Sequence, residues 1–242
     1  MVGTVSGVLV EATAAASPAS VVEIVGPAGS GKTALLAALN QRSDSILVGD
    51  RPRVRRIQSI PFFVRNMISL LPVLLRTYRN GARPTRQEMV MLARLKGWHL
   101  VLGQQASKSR GVIILDQGPV FILSWLSEFG PDSLKDQIAE DCWNSVIEQW
   151  AAVLDMVVCL DAPDAVLIER INARSKSHTV KGMPRRDIRR FLGRGRASMD
   201  AAISRLAAGG GPAVLRFDTA RRSPDQIADE LLAAFGLSRG DG

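Results

Sequence analysis

The residues best equipped for chemistry are Gly26-Pro27-Ala28-Gly29-Ser30-Gly31-Lys32-Thr33, which fit the pattern G-x-x-x-x-G-K-[ST]. Gly26, Gly29 and Gly31 let backbone N–H groups turn inward around phosphate oxygens, where side chains would clash. A helix opening directly behind them adds a favourable field for anions. The Lys32 ammonium can reach β- and γ-phosphates, and the Thr33 hydroxyl can ligate Mg²⁺. The flanks are those the chemistry needs: the apolar residues Val21, Val22, Ile24 and Val25 before the loop, and a helix-forming run, Thr33–Asn40, after it. Such a loop binds a nucleoside triphosphate.

A second candidate is Asp116, which ends the short β-branched run Val112–Leu115. Beside a phosphate loop, this carboxylate could hold Mg²⁺ through water or accept the proton of an attacking hydroxyl. The two roles require similar placement and stay open. Asp161 has the same position after Met156–Leu160, and its expected role is to cap the helix that follows. A third group lies past Ser45–Gly49, in the basic connection Asp50–Arg56. Open α/β sheets hold ligands at the carboxyl ends of strands, so Arg51 and Arg53 there suit a substrate anion, with a solvated basic loop as the alternative. His99 has no second histidine or paired carboxylates nearby and reads as structural or exposed.

These residues need a scaffold, and 242 residues with 46% hydrophobic content suit one α/β domain. Five strand-like runs alternate with helical ones, and most of the strands are uniformly apolar, which predicts a parallel sheet covered on both faces. Pro61–Thr77 reads as one helix, apolar over most of its circumference, hence buried in the core or covering a pocket for an apolar partner, with membrane contact ranked below the core. Thr85–Glu88 and Ser223–Gln226 have the reciprocal capping pattern of helix starts. Ser133–Leu154 repeats apolar residues at four-residue spacing and predicts a long amphipathic helix.

The formal charge is +8, and Arg174–Arg196 alone carries nine basic residues against Asp187. That concentration implies a polyanionic ligand at one place. Nucleic acid ranks below nucleotide phosphates because no aromatic residues interleave with the charges. Cys142 and Cys159 are far apart and read as reduced, mostly buried thiols of a cytoplasmic protein. Residues 1–20 read as a loosely ordered leader with room for a short strand at Val5–Val10, and they lack the basic region of a signal peptide. No membrane span is expected, since Ile60–Leu75 is short and interrupted by Arg65, Asn66 and Pro72.

The run Val157–Arg174 resembles the strand, L-D-x-P turn and E-R-x-x-x-R helix of thymidylate kinases. With the phosphate loop, L-D-Q-G at Leu115–Gly118 and F-D-T at Phe217–Thr219, the framework from Val21 to Gly236 resembles the thymidylate kinase-like group of nucleoside and nucleotide kinases. The resemblance implies a three-layer P-loop fold, with a five-stranded parallel sheet flanked by helices and a mobile basic lid within 174–196. It implies ATP and Mg²⁺ as cofactors, Arg170 near the adenine, and Arg174 near the phosphates. One or more of Lys181, Arg185 and Arg186 would close over the transferring group, and the acceptor would be held by residues 49–110. It also implies a small-molecule phosphoryl acceptor, and leaves a homodimer open.

Two departures stand out. Asp116-Gln117 replaces the D-R or E-R pair of the group, and Asp50-Arg51-Pro52 replaces its R-E-P motif. Both argue against a thymidine-nucleotide acceptor, and Gln117 with Arg51 and Arg53 would meet a different one. The rival reading is a nucleotide-dependent ATPase or switch acting through a protein or nucleic-acid partner. Gln117 stands where many such ATPases carry a water-activating Glu, which disfavours that reading.

Overall fold

The computed structural model describes residues 19–53, 59–132, 143–175, 178–208 and 210–237. The Val5–Val10 strand, the first part of the Ser133–Leu154 helix and Cys142 lie outside them. Five strands form one parallel sheet: β1 (Ser20–Val25), β2 (Ile46–Val48), β3 (Val112–Leu115), β4 (Met156–Asp161) and β5 (Ala213–Asp218), in the order β2-β3-β1-β4-β5. The central strand β1 pairs with β3 (Val22 opposite Ile114) and with β4 (Val22 opposite Met156). Nine helices flank the sheet among the described residues: α1 (Lys32–Arg42), α2 (Ile60–Ser69), α3 (Leu71–Arg79), α4 (Arg86–Lys108), α5 (Pro119–Phe129), α6 (Asn144–Ala151), α7 (Asp164–Ala173), α8 (Arg185–Ala207) and α9 (Pro224–Ala234).

Alternation of side chains along each strand sends two sets of apolar residues to opposite faces. Val21, Val25, Ile113, Leu115 and Val157 pack with α4, α5, α6 and α8. Val22, Ile24, Ile114, Val158 and Leu160 pack with α1 and α9. Both expected capping boxes form, at Thr85 before α4 and at Ser223 before α9. In the described part of Ser133–Leu154, α6 ends at Ala151 and Leu154 lies beyond it.

The Pro61–Thr77 expectation needs correction. The segment is two helices, α2 and α3, bent by 58° at Leu70. Pro72 has no N–H to donate to the Ile68 carbonyl and its ring crowds the preceding turn, so one helix cannot run through it. Nor is the pair wholly buried. Leu70 and Leu74 reach the core, with Phe62, Phe63, Met67 and Val73 half-buried against it, while the opposite side faces solvent.

Helix α4 then fixes what lies beyond β2. The Trp98 indole N–H donates to the Asp50 carbonyl (2.9 Å), Arg94 donates to the Pro52 carbonyl (3.0 and 3.1 Å), and the Asp50 N–H donates to the Gln105 side chain (2.8 Å). Three long side chains on one helix therefore hold the Asp50–Pro52 backbone at the sheet's carboxyl edge.

Candidate functional site

The loop between β1 and α1 has the geometry its glycines allow. Gly29 and Gly31 adopt φ of +83° and +92°, and Gly31 caps α1. At Gly26 a Cβ would fall on the Leu160 carbonyl oxygen, so β4 presses against the loop from behind. Lys32 folds over the loop, its Nζ donating to the carbonyls of Gly26 (2.7 Å) and Pro27 (3.0 Å). Burial pushes its ammonium down to about 8; the Asp116 charge opposes this and the Arg174 charge adds to it. Lys32, Asp116 and Arg174 thus converge electrostatically at one place. The Ser30 hydroxyl is buried without a hydrogen-bond partner.

The start of α5, just after Asp116, is held by a residue outside any motif. Glu23, in the middle of β1, is fully buried, and its carboxyl accepts from the N–H groups of Val120 (2.8 Å) and Phe121 (3.0 Å) at the first turn of α5. Burial raises this carboxyl to about 8, against the lowering effect of N–H donation from Phe121, Val120 and Gly118; the Asp116 charge raises it further. Gly118 is required by the same contact, since a Cβ there would sit 2.7 Å from Glu23 Cδ. Between Asp116 and Gly118, Gln117 takes φ of +63°, the only described non-glycine residue with a left-handed backbone. Such a conformation costs about 1–3 kcal/mol and persists where neighbours over-determine it. Here Glu23 holds one side of the turn, and Arg51 the other, donating from Nη1 to Gln117 Oε1 at 2.8 Å.

In front of this turn opens a cleft of about 560 Å³. Its floor is the phosphate loop with Lys32, Asp116 and Gln117; its walls come from α5 and α8. Trp125 and Phe129 lie on one wall and Phe191 on the other, with Phe129–Phe191 and His178–Phe191 ring centroids each 5.9 Å apart. Ser124 and Glu128 add polar groups, and an ion pair between Glu128 and Arg194 ties the two helices together. His178 lies beside Arg174 and Lys32; burial, then those two charges, hold its imidazole below the usual range and neutral at physiological pH. No described residue from 49–110 lines this cleft. That segment instead supplies Arg51, Arg53 and Arg94 at the edge beyond Gln117; burial chiefly, then Arg51 and Arg53, lower Arg94 to about 10.

A second, smaller hollow of about 300 Å³ lies behind the loop, lined by Gly29, Gly31, Ala34, Arg170, Thr219 and Pro224 among others. Arg170 spans it, donating to the Gly29 carbonyl (3.3 Å), the Thr219 hydroxyl (2.9 Å) and the Thr219 carbonyl (2.8 Å).

The basic run divides into two kinds of residue. Arg196 pairs with Asp161 (2.8 Å) and Asp164 (2.7 Å), locking α8 to the β4–α7 turn. Asp161 therefore does not cap α7, whose N-cap is Pro163; it accepts from the Ala162 N–H and from Arg196. Arg185 and Arg186 are exposed at the start of α8 and do not line the cleft, whereas Arg174 does, and its carbonyl accepts from Lys181. Of the span 174–196, residues from 185 onward are helix, with Ile188 and Leu192 buried against α7 and Val180.

No family model and no curated protein matches the sequence. Among solved structures, thymidylate kinase from Candida albicans is 13% identical and aligns over 90% of this chain and 92% of its own, with a TM-score of 0.51. Deoxyadenosine kinase from M. mycoides with the products dCMP and dCDP bound is 14% identical over 89% of this chain and 98% of its own, with a TM-score of 0.50. With dATP bound, that enzyme aligns over 88% and 97% at 15% identity, with a TM-score of 0.48. The first two likenesses show that the chain has the fold of the P-loop nucleoside and nucleotide kinases.

Proposed function

We propose that this protein is an ATP- and Mg²⁺-dependent kinase of the thymidylate kinase-like type, moving the γ-phosphoryl group to a hydroxyl on a small molecule. The observation that carries this reading is the convergence of Lys32, Asp116 and Arg174 at the floor of a cleft walled by aromatic side chains. A hydrolase or switch needs no such acceptor chamber beside its phosphates.

In this reading the loop amides and Lys32 hold the triphosphate, and the base stacks at the hollow behind the loop against Arg170. The oxygen donors Thr33 and Asp116, both exposed at the loop, fit a hard cation that takes few protein ligands, as Mg²⁺ does beside phosphates. Held by Thr33 and Asp116, such an ion would supply positive charge to the phosphates. Asp116 orients the acceptor hydroxyl and accepts its proton, or holds the ion through water. Arg174 lies against the transferring group, and Arg185 joins only if the start of α8 moves. Phosphoryl transfer depends mainly on such positioning and on positive charge at the equatorial oxygens.

The acceptor's body lies against Trp125, Phe129 and Phe191, which favours a planar or apolar molecule with a hydroxyl end, whether nucleoside, nucleotide or another alcohol. An anionic group on it would meet Arg51 and Arg53, with Arg94 beside them, across Gln117. The test is transfer of label from γ-labelled ATP, with Mg²⁺, to a panel of nucleosides, nucleoside monophosphates, sugars and aromatic alcohols. Label reaching one class, and lost in Lys32→Ala, supports the assignment; ATP binding with hydrolysis and no labelled acceptor would overturn it.

A further inference from the structure

The solvent side of α2 and α3 carries an apolar stripe that the kinase reading does not use. Ile60, Val64, Ile68, Leu71, Leu75 and Tyr78 are between 47% (Tyr78) and 66% (Ile68) exposed. Spacings of four residues put Ile60, Val64 and Ile68 on one face of α2, and spacings of four and three put Leu71, Leu75 and Tyr78 on one face of α3. Six large apolar side chains exposed on two adjoining helices mark an interaction surface rather than scatter.

The charge around it identifies the occupant. From Arg51 to Gln87 the chain holds nine arginines and not one Asp, Glu or Lys. On α2 and α3, Arg65, Arg76 and Arg79 are exposed, and helical geometry puts them on the flank of the stripe. Apolar side chains bordered by cations, with an aromatic at one end, are the composition of a helix that lies in the interface of an anionic membrane. A second copy docking face to face would bring the same cations opposite one another, since a two-fold contact is self-complementary. The pair cannot cross a bilayer, because its other side is part of the core through Leu70, Leu74 and Thr77. No single described helix is long and apolar enough to do so either.

We propose that α2 and α3 seat this protein on the surface of an anionic membrane, with Ile60, Val64, Ile68, Leu71, Leu75 and Tyr78 entering the headgroup boundary and the arginines meeting lipid phosphates. The proposal stands independently of the kinase assignment.

Co-sedimentation of the full chain with phosphatidylcholine vesicles, with and without phosphatidylserine, tests it. Binding is expected only with phosphatidylserine and weakens as salt rises. Ile68→Ser with Leu75→Ser should weaken it by about tenfold or more. Arg65→Gln and Arg79→Gln should each cost about fivefold. Melting temperature and ATP binding serve as controls, and all four positions are exposed, so neither should move. Absence of binding to phosphatidylserine vesicles at low salt overturns the proposal. So does a dimer in sedimentation velocity that Ile68→Ser with Leu75→Ser abolishes while vesicle binding is unaffected. Should the serine pair unfold the protein, the arginine variants and the salt dependence still decide.

Discussion

The two sides of the cleft floor are built in different ways. The proposed donor side is one contiguous loop, Gly26–Thr33, held by its own backbone conformation and by Lys32 folding onto its carbonyls. The proposed acceptor side is assembled from α5 and α8, with Gln117 held between Glu23 and Arg51 through contacts that span much of the chain. Binding a triphosphate demands backbone N–H groups at fixed short spacing, which only neighbours in sequence supply. Enclosing an organic molecule demands walls, and walls come from different helices. The donor side is therefore the part that a motif can encode, and the acceptor side is the part free to change.

Substitutions can separate the two. The largest effect is expected from Lys32→Ala, which should lower phosphoryl transfer by about a thousandfold or more while leaving the circular dichroism spectrum unchanged. Wild-type rates in that variant would mean that the loop is not the donor site. Asp116→Asn should cost about a hundredfold or more in kcat, with ATP affinity nearly intact. If ATP affinity collapses instead, the carboxylate belongs to the donor half as a metal ligand.

Next comes Gly118→Ala, which forces a Cβ against Glu23 and so displaces the turn that carries Asp116. A loss of about 2 kcal/mol in stability and a fall in kcat without a change in ATP binding would show that Glu23 serves the acceptor side. Phe191→Ala should raise the acceptor KM by about tenfold and leave the KM for ATP alone. A change in both would merge the two sides.

The smallest effect is in pH. Lys32 in the free protein loses its proton near 8 rather than at its usual value, so binding a triphosphate above that pH must take up a proton. Affinity should fall as pH rises through about 8, and calorimetry in buffers of different ionisation enthalpy should register uptake that Lys32→Ala abolishes. The same shift makes the fold gain stability between about 8 and 10.5. Glu23 acts oppositely, costing stability as pH rises from 4.5 to about 8.

The same division explains what was legible in the sequence. The five strands, the loop and both capping boxes follow from local pattern, and all are present. Glu23 left a signal in V-V-E-I-V: a carboxylate inside a strand expected to be covered on both faces must have partners. Its partners, the N–H groups at the start of α5, lie far along the chain and could not be read from it. Trp125, Phe129 and Phe191 read as ordinary apolar positions of amphipathic helices, because nothing in a helical period distinguishes a wall of a cleft from a wall of the core. Pro72 carried the bend that divides α2 from α3, yet as a single residue in an apolar run it read only as an interruption.

The strand order also bears on how the chain is made. Of the described strands, β1 is synthesised first, but its neighbours are β3 and β4, and the Leu160 carbonyl backs Gly26. Emerging from the ribosome, β1 has no strand to pair with until Val112–Leu115 has followed, and the loop has no backing from β4 until Met156–Asp161 has followed. The first motif to be translated is thus among the last to take shape, and a nascent chain ending before β4 should not retain nucleotide. Long-range parallel pairing of this kind is slow and leaves apolar strands unpaired while it waits. The chain therefore spends its synthesis with its most functional segment unformed, in the interval when a chaperone has most to protect.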